Sequence, residues 1–162
     1  MTNNDILRRT RYALNINDSA MIEIFRMAGH EIDRTALTAF LKKEDEDGYV
    51  NCSNKVLGYF LDGLILHKRG KKETESSQPE KPFLPLTNND ILKKMRIALE
   101  LKEDDMTEVL RMADIAISKS ELTALFRRKG HKNYKECGDQ FLRNFLRGLS
   151  IRYRKQDQGH SQ

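Results

Sequence analysis

Cys52 and Cys137 are the residues of this chain with the most intrinsic reactivity, and each stands just ahead of a segment that reads as a helix start. A thiol at the positive end of a helix is drawn toward thiolate, the form that attacks electrophiles and binds metal. A nucleophile also needs a base beside it. The two cysteines occupy equivalent places in two copies of a repeated unit, but the histidines do not repeat with them. His30 is matched by Ile115, His67 by Arg152, and His131 by Glu46. A Cys–His pair used twice is therefore excluded, and the reading that remains is two small, semi-buried residues at helix starts.

Metal and cofactor patterns are equally absent. There is no H-E-x-x-H, no clustered Cys/His set, no phosphate-cradling G-x-x-x-x-G-K-[ST] and no strand-associated G-x-G-x-x-G. The acidic run Glu44-Asp45-Glu46-Asp47-Gly48 lacks the alternating ligands and distant glutamate of a calcium loop. In the second copy the same run reads Lys129-Gly130-His131-Lys132-Asn133. No catalytic residue, metal site or cofactor is expected.

Charge is the more informative chemistry. Acids and bases balance from Met1 to Gly70, about ten of each, whereas Leu86 to Lys155 carries roughly sixteen bases against ten acids. Arg127, Arg128, Lys129, Lys132 and Lys135 cluster in the turn after the third helix of the second copy. Arg143, Arg147 and Arg154 follow one side of its fourth helix, at positions where the first copy has residues such as Gly58 and Asp62. A basic patch of this kind is the electrostatic footprint of phosphate binding. The competing readings are a solvated face and a surface that docks on the acidic loop of the first copy.

A second set of polar residues is shared by both copies: Arg11/Arg96, Glu23/Glu108 and Arg26/Arg111. Glutamate and arginine three apart are neighbours on one helix face. With Arg11 and Arg96 joining from the first helices, the set reads as an ion network locking helix one to helix two, or as the lining of an anion or partner site.

The elements that must position these groups come from a duplication. Thr2-Asn3-Asn4-Asp5-Ile6-Leu7 is spelled again as Thr87-Asn88-Asn89-Asp90-Ile91-Leu92, and at an offset of about 85 positions roughly 26 of some 68 residues are identical. Each copy, residues 1–70 and 86–155, reads as four helices. Thr2, Asn3 or Asn4 caps the first, whose apolar stripe is Ile6, Leu7, Ala13 and Leu14. Asn17 or Asp18 starts the second, which carries Met21, Ile24, Phe25 and Ala28 and ends at Gly29. Asp33 caps the third, with Leu37, Phe40 and Leu41 inward, and its counterpart Ser118-Lys119-Ser120-Glu121 fits a capping box. Ser53 caps the fourth, with Leu57, Phe60, Leu61 and Leu64. That helix contains Gly63, matched by Gly148; a mid-helix glycine costs about 1 kcal/mol relative to alanine, so its repetition points to a close backbone approach, the alternative being simple inheritance from the duplication.

Each copy is near the size where one core gives marginal stability, so the copies are expected to bury surface against each other, or the chain to dimerise. Residues 71–85 hold all three prolines, Pro79, Pro82 and Pro85, and read as a semi-extended linker that does not fix how the copies pack. Residues 156–162 read as a polar tail. The apolar run around Leu64-Ile65-Leu66 is far too short to span a bilayer, and no secretory signal is visible, so no membrane role and a cytoplasmic location are expected.

Helices two and three, with the turn at Gly29, follow a helix-turn-helix in outline. Phe25 stands where that motif favours alanine, and the third helix, with Arg34, Thr35 and Thr38, offers few long donors to base edges.

The runs Thr2 to Leu14, Phe40-Leu41-Lys42-Lys43-Glu44-Asp45 and Phe60-Leu61-Asp62-Gly63-Leu64-Ile65-Leu66-His67-Lys68-Arg69-Gly70 resemble the YehS-like family, a bacterial group of duplicated domains of unknown function. The resemblance covers nearly the whole chain and implies a small cytoplasmic helical protein; it brings no catalytic residues. The second copy departs from the pattern at Arg147, at Arg152 and in its basic loop. The expectation is an all-α protein of two pseudo-equivalent four-helix units that acts as a non-catalytic interaction module. Its expected partner is a protein first and DNA or RNA second, with a homodimer compatible with either.

Overall fold

The computed structural model describes residues 1–70 and 86–160, with side chains as far as Lys155; the expected linker, residues 71–85, lies outside the described residues. The regular structure among them is helical throughout. It comprises α1 (Asn3–Leu14), α2 (Asp18–Met27), α3 (Arg34–Leu41), α4 (Asn54–Arg69), α5 (Asn88–Ala98), α6 (Glu103–Met112), α7 (Lys119–Leu125) and α8 (Asp139–His160). The last helix runs on to His160, through most of the stretch read as a polar tail. Gln156, Asp157 and Gln158 continue a helix already nucleated at little cost, so polarity alone does not end one.

Local chemistry sets the helix starts. Thr2 and Thr87 accept from the amides of Asp5 and Asp90 while those carboxylates accept from the threonine amides, a reciprocal cap that satisfies two orphan donors at each end. Asn17, Asp33 and Ser53 cap α2, α3 and α4 through their side chains, and Ser118 with Glu121 closes the box on α7. After α2 the chain turns at Gly29 with φ of 83°, where glycine carries no Cβ penalty. Its counterpart Asp114 takes the same left-handed region at φ 63°, one of the side chains that tolerate it.

The asparagines of the repeated hexapeptide have a different task from the capping one the sequence suggests. Asn4 is buried on α1, where Nδ2 donates to the carbonyls of Phe40 and Val50, each at 2.9 Å, and Oδ1 accepts from the Cys52 amide at 2.9 Å and the Tyr49 hydroxyl at 3.0 Å. Asn89 repeats this with Leu125, Lys135 and the Cys137 amide. Asn3 and Asn88 bind the cysteine carbonyls, at 3.0 and 3.1 Å. The long loop before each fourth helix contributes little apolar burial of its own, and these side chains satisfy the backbone groups it would otherwise leave unpaired.

Packing joins the copies reciprocally. α1 packs most extensively on α8 and α5 on α4, so each first helix lies along the fourth helix of the other copy. The pairs run parallel. The Met1 amino group meets Asp139 at 3.1 Å near the start of α8, and Tyr12 meets Arg154 further along. Within a copy, α2 packs on α4 and α6 on α8. Those contacts are close because of the repeated glycines: a Cβ at Gly63 would lie 1.9 Å from the Ile24 carbonyl oxygen, and one at Gly148 would lie 2.1 Å from that of Val109. A single buried apolar cluster runs through both copies, including Leu7, Phe25, Phe60 and Leu64 from one and Leu92, Leu110, Phe145 and Leu149 from the other. No described helix is long and apolar enough to cross a membrane.

Candidate functional site

The cysteines are placed by the loops that Asn4 and Asn89 hold, and both are buried. Their position ahead of a helix suggested a lowered thiol pKa; the structure reverses it. Burial pushes the Cys52 thiol up to about 12, and burial, aided by the Asp139 carboxylate, pushes Cys137 up to about 12 as well. Removal of water costs the thiolate more than a helix dipole returns. Neither thiol is a nucleophile near neutral pH.

The shared polar set does not form one network. Arg11 turns away from Glu23 and Arg26: its Nε donates to the Ile16 carbonyl at 3.0 Å and its guanidinium pairs with Asp18 at 2.6 Å. It thus ties α1 to the start of α2. Arg96 donates to the Leu101 carbonyl at 2.9 Å and covers the Phe126 ring at 4.6 Å. Glu23 with Arg26 (2.6 Å) and Glu108 with Arg111 (3.9 Å) are separate pairs within their own helices, out in solvent. Side chains three apart on one helix reach each other before they reach a neighbouring element, whereas Arg11 has the Ile16 carbonyl and Asp18 within reach. Pairs this exposed contribute about 0–1 kcal/mol.

Of the basic residues in the second copy, Arg127, Arg128, Lys129 and Lys132 are exposed and carry no side-chain hydrogen bond or ion pair among the described residues. Lys135 reaches Glu121 at 3.5 Å. On α8, Arg143 donates to Gln140 at 2.6 Å and Arg147 meets the highly exposed Asp114 at 3.4 Å. Arg154 leaves this series: its guanidinium lies 3.5 Å over the Tyr12 ring and donates to the Tyr12 carbonyl at 3.1 Å. Stacking flat on the ring leaves its Nε without an acceptor. None of these side chains pairs with the acidic loop of the first copy among the described residues.

The fold adds basic residues that the sequence reading did not single out. Because α1 lies along α8, Arg8 and Arg9 of the first copy share a depression of about 450 Å³ with Arg147, Tyr12, Ser150 and Ile151. Arg8 is held by Asp5 and by the Lys42 carbonyl at 2.8 Å. Arg9 has no hydrogen bond or ion pair among the described residues. Burial works to raise the Asp5 carboxyl, but the Thr2 donors, Arg8 and Arg9 together hold it below its ordinary value. The arrangement can hold an anion: charge-assisted bonds from guanidinium to phosphate are about twice as strong as neutral ones.

A smaller depression of about 310 Å³ lies by α3, lined by residues including Arg34, Thr38, Lys42 and Gly48. The Lys42 ammonium there is taken up by the Asp47 carbonyl at 2.6 Å. No group of three His, Cys, Asp or Glu side chains is placed to hold a metal ion among the described residues.

The chain matches the family described as "Protein of unknown function (DUF1456)" twice, over residues 3–70 and 88–155. It is 45% identical over 152 residues to "Uncharacterized protein YehS" of Escherichia coli (strain K12), which spans 94% of this chain and 96% of that protein. No solved structure matches it. The two family matches fall on the two four-helix units, and the chain belongs to the DUF1456 family of proteins of unknown function.

Proposed function

We propose that this protein is a non-catalytic helical binding module that meets an anionic partner on the basic surface of its second copy and the adjoining edge of the first. One observation carries this reading. The polar residues that both copies keep are used in framework or paired within one helix, whereas most of the bases special to the second copy's loop stand in solvent without a partner among the described residues. Asn4, Asn89, Arg11 and Arg96 are spent on backbone carbonyls, and the cysteines are buried. Thiols held at about 12 supply no nucleophile, which supports a binding role over a catalytic one. A protein with an acidic face is the first partner class.

A second reading, nucleic acid, is favoured by Arg127, Arg128, Lys129 and Lys132, which are exposed and paired with nothing described. Phosphate backbones are bound by such free cations with release of counterions. The test is capture from bacterial lysate with and without nuclease, using the wild-type chain and a variant with Arg127, Arg128 and Lys129 changed to glutamate. Protein partners that survive nuclease and are lost with the variant support the first reading. Capture that disappears with nuclease supports the second. Capture unaffected by the charge reversal refutes the basic surface as the working face, and turnover lost on changing one polar residue would overturn the non-catalytic reading.

A further inference from the structure

The two inter-copy junctions are built on equivalent helices and differ in charge. At the α4–α5 junction Lys94 pairs with Asp62, and Arg69 meets Glu100 at 3.5 Å. The equivalents of Lys94 and Asp62 at the α1–α8 junction are Arg9 and Arg147, so a cation faces a cation where the sister junction closes an ion pair. The balance around them differs in the same sense. Arg8, Arg9, Arg147 and Arg154 are set against Asp5 and Asp114 at the open junction; Lys93, Lys94 and Arg69 are set against Asp62, Asp90 and Glu100 at the closed one. An excess of two positive charges is left where the fold needs none.

The open junction also carries apolar surface that a bare anion does not use. Tyr12 is 57% and Ile151 39% exposed, two of the three large apolar side chains that stand in solvent among the described residues. Both line the same depression as Arg9 and Arg147. At the sister junction Tyr12 is replaced by Ile97, which is half-buried. Arg154 covers one face of the Tyr12 ring and holds it in place while the residue stays largely exposed, and aromatic faces set among cations are what single-stranded nucleic acid uses: phosphates on the cations, nucleobases on the ring.

We infer that the α1–α8 junction is a single-stranded nucleic-acid site, in which Arg9 and Arg147 take a backbone phosphate and Tyr12 with Ile151 supports the neighbouring base. This rests on the nucleic-acid reading above and gives it a location at the junction of the copies, beside the loop of the second. In a duplex the bases are stacked inside and unavailable to Tyr12, so the site favours single strands.

The test is fluorescence anisotropy of the full chain with a labelled single-stranded oligonucleotide of mixed sequence, between about 50 and 200 mM salt. Arg147→Asp supplies at this junction the acid that Asp62 supplies at the other; Arg9→Gln removes one cation more gently. Both are expected to weaken binding about tenfold at low salt and to reduce the salt slope by roughly 0.7 per lost contact. Tyr12→Ala is expected to weaken single-strand binding about tenfold with the salt slope unchanged. Thermal melts verify that the variants fold. Wild-type binding that survives all three variants, but is lost when Arg127 and Arg128 become glutamate, overturns this location and leaves the nucleic-acid reading standing. A wild-type chain that binds no oligonucleotide at low salt overturns both. Equal affinity for duplex, or displacement of the oligonucleotide by inorganic phosphate at matched ionic strength, overturns the single-stranded occupant.

Discussion

Changing Gly63 to alanine is expected to destabilise the protein, although alanine is ordinarily the better residue inside a helix. A Cβ at Gly63 falls 1.9 Å from the Ile24 carbonyl oxygen and 2.8 Å from its carbon. Both atoms are backbone of α2, so no rotamer change relieves the overlap, and α2 must retreat by about 1 Å before the contact is one that real Cβ atoms make. That retreat loosens the seam where Ile24, Phe25 and Phe60 are fully buried. Overpacking costs about 1–3 kcal/mol, and an overlap with backbone takes the upper end. The propensity gain of about 1 kcal/mol offsets part of it, leaving a net loss of about 2 kcal/mol. Gly58, on the same helix with nothing within 4 Å of a built Cβ, is the control and is expected to gain up to about 1 kcal/mol. Urea unfolding followed by circular dichroism reads both variants. With an m-value of about 2 kcal/mol/M, Gly63→Ala lowers the midpoint by about 1 M while Gly58→Ala raises it. A Gly63→Ala midpoint at or above wild type refutes the close approach, and Gly148→Ala must behave like Gly63→Ala.

Asn4→Ala removes two donors and an acceptor from buried loop backbone and is expected to cost about 1–3 kcal/mol, as is Asn89→Ala; urea midpoints equal to wild type would show that the loops hold without them. Cys52 and Cys137 should resist a thiol reagent at pH 8 in the native protein and react at once in denaturant, since the folded thiols ionise only near pH 12; immediate native labelling refutes the burial argument. The unfolded thiols ionise near the ordinary 9.0, so stability contributed by these groups falls as pH rises from there toward 12. Asp105 is held below its ordinary 3.8 by the Lys102 amide and then by Arg152, so its contribution is present above pH 3.8 and lost as pH falls through the depressed value; Asp105→Asn should flatten the acid limb of stability against pH, and an unchanged limb counts against it.

The helix starts were legible in the sequence because a cap is a local transaction: Thr2 with Asp5 and Ser118 with Glu121 close over three residues. The repeated Gly63 and Gly148 were legible as a cost that had to be repaid, and the repayment is a backbone contact. The hexapeptide asparagines were misread as caps because their partners lie 36 to 51 positions along the chain, a distance at which residue type names a donor but not its acceptor. The cysteines read as small, semi-buried residues at helix starts and they are buried; what helix position suggested wrongly was a lowered thiol pKa. Helix position is visible in sequence, whereas the burial that outweighs it arises from the loop that Asn4 and Asn89 fold over them.

Laid on each other, the two copies differ at Asp62 against Arg147, but residue type alone names no partner for either. In the fold the first helix of each copy lies on the fourth helix of the other. The units that diverged are therefore pairs: Lys94 with Asp62 at one junction, Arg9 with Arg147 at the other. Arg9 has changed least in character, from one cation to another, and is for that reason invisible to a search for differences. Its surroundings changed instead. A duplicated protein of this connectivity can convert one of two equivalent junctions from a closed contact to an open basic surface by altering a single helix, while the other copy of the same residues continues to hold the fold together.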